Sequence, residues 1–177
     1  FHVFNNFEKN EIIQTLIELK KDLKKFSDNK KKIILKAIAD ISSTEEGDKI
    51  FKLKDNTIAE LKSLDKEDYL EYLYHRYRYE IFPTAKEIDH YPPCLQIEPS
   101  SVCNFRCIFC FETDKTFTNK KNGFMGTMDF DNFKNIIDDA QGNIQFLTLA
   151  SRGEPLVSKS INKMISYTNG KFLNLKL

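Results

Sequence analysis

The 177-residue sequence has no apolar run approaching the ~18 to 20 residues that a membrane-spanning helix needs. Nor does it open on a basic stretch followed by an apolar segment, so no secretory signal is visible. An excess of one charge is equally lacking. Residues 1–90 carry 17 Lys plus Arg against 18 Asp plus Glu, and residues 91–177 carry 10 against 8. Neither half is a basic nucleic-acid arm. The runs Lys20-Lys21, Lys24-Lys25 and Lys30-Lys31-Lys32 are interleaved with Glu18, Asp22 and Asp28, as on a solvated helix face. Cysteine is scarce too: there are four, three of them crowded together, which is not a disulfide-stapled scaffold. These absences point to an intracellular, cytoplasmic protein with no membrane or nucleic acid among its expected partners. The first residue is Phe1 rather than methionine, which suggests a fragment or an unseen leader.

What is present is enough apolar residue, 41%, to build one sizeable core or two small ones. From about Glu8 to Phe26, the residues Ile12, Leu16, Leu19, Leu23 and Phe26 recur at spacings of four and three, one stripe of an amphipathic helix. Ser27 and Asp28 offer capping chemistry, and Ile33, Ile34, Ala37, Ile38 and Ile41 mark a second helical face. Ile50, Phe51 and Leu53 fit a short strand or a helical turn equally well. With Asp65 as N-cap, a helix from Lys66 to about Glu80 stops before Phe82-Pro83, and an extended linker runs from Pro83 to Pro93. Residues 1–90 therefore read as a mainly helical accessory domain and linker, and 91–177 as a second domain.

The second part changes character. Leu95-Gln96-Ile97-Glu98 alternates like a strand. After it come the cysteines and a long polar loop from Asp114 to Gly126. Asp129 caps a helix bearing Phe130, Phe133, Ile136 and Ile137, and Ile144 to Ala150 is an apolar run suited to a buried strand. Ser158 caps a helix with Ile161, Met164 and Ile165, closed by Asn169-Gly170, and Phe172, Leu173, Leu175 and Leu177 start another strand. This alternation predicts an α/β fold with βαβ units and a parallel sheet, whose strand carboxyl ends gather the ligand chemistry.

Cys103, Cys107 and Cys110 form C-x3-C-x2-C, with Cys94 nine residues before the first. Thiolates suit soft metals, in zinc sites or iron–sulfur clusters. A cubane cluster usually takes four cysteines, so three leave one iron open to a ligand that is not protein. Three thiols so close together are poorly explained as buried small hydrophobes. The rival is a closed zinc site in an interaction module, with Cys94 as fourth ligand. Zinc sites commonly pair two short Cys or His units, whereas here no second C-x2-C exists and the nearest histidine is His90.

The motif after a first strand, with Phe109 just before the last cysteine, resembles the signature of radical S-adenosylmethionine (radical SAM) enzymes. The resemblance implies that Cys103, Cys107 and Cys110 hold a 4Fe-4S cluster whose open iron binds S-adenosyl-L-methionine. One electron then cleaves the sulfonium to give a 5′-deoxyadenosyl radical. Gly153-Glu154-Pro155 resembles the family's Gly-Gly-Glu-Pro-like turn, which holds the methionine end of the cofactor. Arg152 stands where the first glycine is frequent, Ser151 is a weaker contact, and Phe109 would lie beside the adenine. The resemblance covers about Leu95 to Leu177, the start of a partial (β/α) barrel truncated after about three strands. It further implies an electron donor such as flavodoxin or ferredoxin. Relatives often modify peptides, so a peptide or protein is one expected substrate class, and no catalytic side chain is named.

Overall fold

In a computed structural model describing residues 3–177, Asn5 starts the first helix. Its side chain accepts from the Glu8 N–H at 3.0 Å, and the Glu8 carboxylate accepts from the Asn5 N–H at 3.1 Å. This reciprocal capping box satisfies two N–H groups that helix geometry leaves orphaned, and it fixes the start of α1 (Asn6–Glu18). The expected stripe continues to Phe26, but the chain tightens into 3-10 geometry over Leu19–Lys25, still burying Leu23. The second helix, α2 (Asp28–Ser42), buries Ile33, Ile34, Ala37 and Ile38. Ile50, Phe51 and Leu53 form neither strand nor helix, although Phe51 is fully buried. A short α3 (Asp55–Lys62) follows, which the sequence pattern did not reveal.

Asp65 precedes a 3-10 turn, Lys66–Asp68, that leads into α4 (Tyr69–Ala85). This helix runs through Pro83 instead of stopping before it. A proline near the end forfeits only one late hydrogen bond, and Lys86 then turns left-handed (φ 59°), so that the Glu87 N–H reaches the Phe82 carbonyl at 2.9 Å. The predicted extended linker is correspondingly shorter and is fastened to α4. Arg78, 1% exposed, donates from Nε to Asp89 at 2.6 Å and from Nη2 to the Tyr91 carbonyl. His75 Nδ1 donates to the Pro93 carbonyl at 2.8 Å.

The chain divides into two compact units, Phe1–Pro93 and Cys94–Leu177. The first is mainly helical. The second holds an open sheet of three parallel strands in the order β1 (Cys94–Gln96), β2 (Phe146–Thr148), β3 (Asn174–Lys176). Cys94 pairs with Phe146, so it is the first residue of β1 and not a residue before it. All three strands are shorter than their apolar runs. Flanking bonds from Ile97 to Thr148 (2.9 Å), Leu149 to Lys176 (2.8 Å) and Leu173 to Gln145 (2.9 Å) extend the pairing, whereas Ile144 bonds back to Ala140 in a turn.

Helices lie between the strands in sequence. Asp129 accepts from the Asn132 N–H at 2.9 Å and starts α6 (Phe130–Ala140), the sixth helix because Lys115–Thr118 forms a one-turn α5. The next, α7 (Ile161–Thr168), is preceded by Ser160 rather than Ser158, because Pro155–Val157 first makes a 3-10 turn. Ile97, Phe133, Ile137, Leu147, Leu149, Ile161 and Met164 form one buried cluster between sheet and helices. Each such side chain contributes about 1.5–3 kcal/mol by leaving water. No helix among the described residues is long and apolar enough to cross a membrane.

Candidate functional site

Because β1 and β2 are parallel neighbours, the loops after them leave the same end of the sheet. The loop after β1 passes through Pro99, Ser100, Ser101 and Val102 to Cys103. The loop after β2 contains Arg152, Gly153 and Glu154. They meet directly: the Glu154 N–H donates to the Val102 carbonyl at 2.9 Å. Gly153 has φ +74°, and a Cβ there would lie 2.2 Å from the Ser100 carbonyl oxygen and 2.8 Å from two Ser101 backbone atoms. Only glycine allows both that conformation and that approach. One carboxylate oxygen of Glu154 accepts from the Leu156 N–H at 3.1 Å, which closes the turn over the buried Pro155.

A third segment joins them. The predicted long polar loop contains structure of its own. Asp114 accepts from the Thr116 N–H at 2.8 Å at the start of α5, a bond that lowers its pKa. A 3-10 turn, Lys120–Asn122, follows and ends at Gly123 (φ +75°). Phe111 meets Phe117 edge-on and Phe117 meets Phe124 at a tilt, with ring centroids 5.5 and 6.1 Å apart. The loop returns alongside the entrance to the cysteines. Ser101 N–H donates to the Gly126 carbonyl (2.9 Å), Gly126 N–H to Ser101 Oγ (2.7 Å), and Met128 N–H to the Pro99 carbonyl (2.9 Å).

Arg152 links all three. Its Nη2 donates to Glu98 Oε1 at 3.0 Å and to the Phe124 carbonyl at 3.2 Å, while its Nε is buried with no hydrogen bond among the described residues. Neither Glu98 nor Arg152 was distinguishable in the sequence as a partner of the other, since 54 residues separate them; the only signal was that Arg152 departs from the usual glycine.

Cys103, Cys107 and Cys110 are free thiols, the first and last half-buried and Cys107 exposed. A turn closed by the Cys110 N–H on the Cys107 carbonyl at 3.0 Å brings the chain back on itself. Arg106 is exposed to solvent, and its Nη1 donates to the nearby Cys103 and Phe105 carbonyls at 3.1 and 2.7 Å. Among the described residues no three His, Cys, Asp or Glu side chains stand together as a formed metal-binding group. Phe109 is 90% exposed, so it packs beneath nothing in the loop, and Ser151 is exposed as well. Thus the backbones of Gly153 and Glu154 are brought against the cysteine loop, while Ser151 and Phe109 are left at the surface. Glu112, two residues after Cys110, is buried with Oε1 lacking a hydrogen bond among the described residues, and nothing in its sequence context marked it.

Comparison with family models, with curated proteins and with solved structures finds no match in any of the three.

Proposed function

We propose that residues 94–177 begin a radical SAM barrel, in which Cys103, Cys107 and Cys110 hold a 4Fe-4S cluster and the Gly153-Glu154-Pro155 turn holds the methionine end of S-adenosylmethionine. The observation that carries this reading is the seating of Gly153 and Glu154 on Ser100, Ser101 and Val102. Two loops identified by separate motifs meet within hydrogen-bonding distance immediately before the first cysteine.

The residues fit the group by their donor chemistry. Three free, accessible thiols are the soft ligands that such a cluster takes, and three rather than four leave an iron for the cofactor. When bound, the cluster supplies the electron that cleaves S-adenosylmethionine reductively. Gly153 lets the turn sit directly on the Ser100 and Ser101 backbone, which places Glu154 beside the entrance to the cysteines. The second lone pairs of Glu154 take a charge-assisted hydrogen bond from an ammonium group. Phe109, exposed beside the thiols, offers an aromatic face to an adenine.

The test is anaerobic reconstitution with iron and sulfide, followed by metal analysis and an assay for 5′-deoxyadenosine under reducing conditions. The reading expects iron and sulfide bound in cluster proportion, lost when Cys103, Cys107 or Cys110 is changed to Ala. A protein that takes up only zinc and never cleaves S-adenosylmethionine overturns it.

A further inference from the structure

We infer that Arg152 is a positioning residue that closes a frame around the cysteine loop; the inference rests on the proposed cluster and cofactor site. The frame has two sides. On the amino-terminal side of the cysteines, Gly153 and Glu154 are set against Ser100 and Val102. On the carboxy-terminal side, Phe111 follows Cys110 directly and packs edge-on against Phe117, which in turn packs against Phe124. Arg152 joins the sides, because one guanidinium nitrogen donates to the Phe124 carbonyl and to Glu98, just beyond β1, while its backbone enters Gly153.

A solvated arginine would show none of this. The side chain is partly buried and paired with a partly buried carboxylate, and its acceptors come from two segments that are 26 residues apart in sequence. The planar fork suits the task because it meets acceptors in fixed directions, which a lysine ammonium does not. The left-handed Gly153, with backbone on one side, tolerates little displacement, so holding its neighbour holds the turn. The function of the frame is to keep the turn and the cysteine loop in register, so that a cofactor bridging them finds both sides already aligned.

Two measurements test this. Hydrogen–deuterium exchange of the metal-free full chain compares wild type with Arg152→Met and Glu98→Gln. The expected result is at least tenfold faster exchange in peptides covering both residues 111–126 and 153–157, with β2 and β3 unchanged. In the reconstituted protein, the concentration of S-adenosylmethionine that half-saturates its effect on the reduced cluster's electron paramagnetic resonance spectrum rises about tenfold or more in Arg152→Met. Arg152→Lys recovers only part of that loss, and iron content stays at the wild-type level. Unchanged exchange in both variants overturns the frame. Faster exchange with unchanged cofactor affinity reduces Arg152 to a structural contact and overturns the positioning role. A wild-type chain that forms no cluster overturns the site reading itself, and the positioning role with it, whereas a cluster-bearing wild type with equally competent variants overturns the positioning role alone.

Discussion

A methyl group at position 153 would stand 2.2 Å from the Ser100 carbonyl oxygen, on a residue whose φ of +74° already excludes most side chains. Neither neighbour can yield easily, because the obstacle is backbone and Ser101 is held in turn by Gly126. Gly153→Ala is therefore expected to destabilise the Cys94–Leu177 unit by about 1–3 kcal/mol, as read from urea unfolding. Gly142→Ala, also left-handed (φ +80°) but with open space around it, should cost less, and the difference between the two isolates the contact from the conformation. Gly153 was legible as a candidate because a Gly-Glu-Pro turn follows an apolar run. Arg152 was legible only as a departure from a pattern. Glu98, its partner, read as an outward-facing strand residue, since alternation says which face a side chain takes and nothing about which distant loop will meet it.

At the scale of elements, the largest difference between pattern and structure lies at the end of α4. Pro83 reads as a stop signal, yet the helix passes through it and ends at a left-handed Lys86, and the following segment is anchored by Arg78. Removing the carboxylate takes from a buried guanidinium its ion pair with Asp89. Asp89→Ala is thus expected to destabilise the helical unit by about 3–5 kcal/mol in chemical denaturation. The short α3 escaped notice because eight residues with Ile58 and Leu61 as their apolar anchors give too few turns to show a period. Strands were overestimated for the converse reason: a buried turn such as Ile144 is as apolar as the strand it feeds. Between α6 and α7 the interaction is electrostatic as well as apolar. Asp138 accepts from the Tyr167 hydroxyl and from Lys134, and these bonds lower its pKa from 3.8 to about 2. A lowered carboxylate pKa stabilises the fold above the unfolded value and loses that contribution as pH falls through the folded value. Asp138→Asn should therefore unfold at a lower urea concentration than wild type at pH 6, and the two curves should converge as pH drops from about 4 to 2.

For the whole molecule, the alternation of strand, helix and strand was enough to anticipate a parallel sheet, and the neighbouring order of β1 and β2 sets where its four cysteines lie relative to one another along the chain. Cys94 opens β1, whereas Cys103 to Cys110 lie in the loop beyond its other end. From Cys94 to Ile97 the extended chain advances by about 3.3 Å per residue away from its starting point, roughly 10 Å in all. The pairing of Cys94 with Phe146, Leu95 with Leu147 and Gln96 with Thr148 keeps this stretch from folding back. A four-cysteine zinc site would need the loop after β1 to fold back along the strand to reach Cys94, whereas Ser100 to Val102 are held at the far end by Gly126, Gly153 and Glu154, which favours three ligands. On the proposed cluster reading, Cys94→Ala is expected to retain the full iron content and 5′-deoxyadenosine formation of the reconstituted wild type, while Cys107→Ala loses both. Parallel metal analysis and exchange of the β1 amides make the comparison decisive: loss of metal in Cys94→Ala with β1 still protected would mean that Cys94 binds the metal after all.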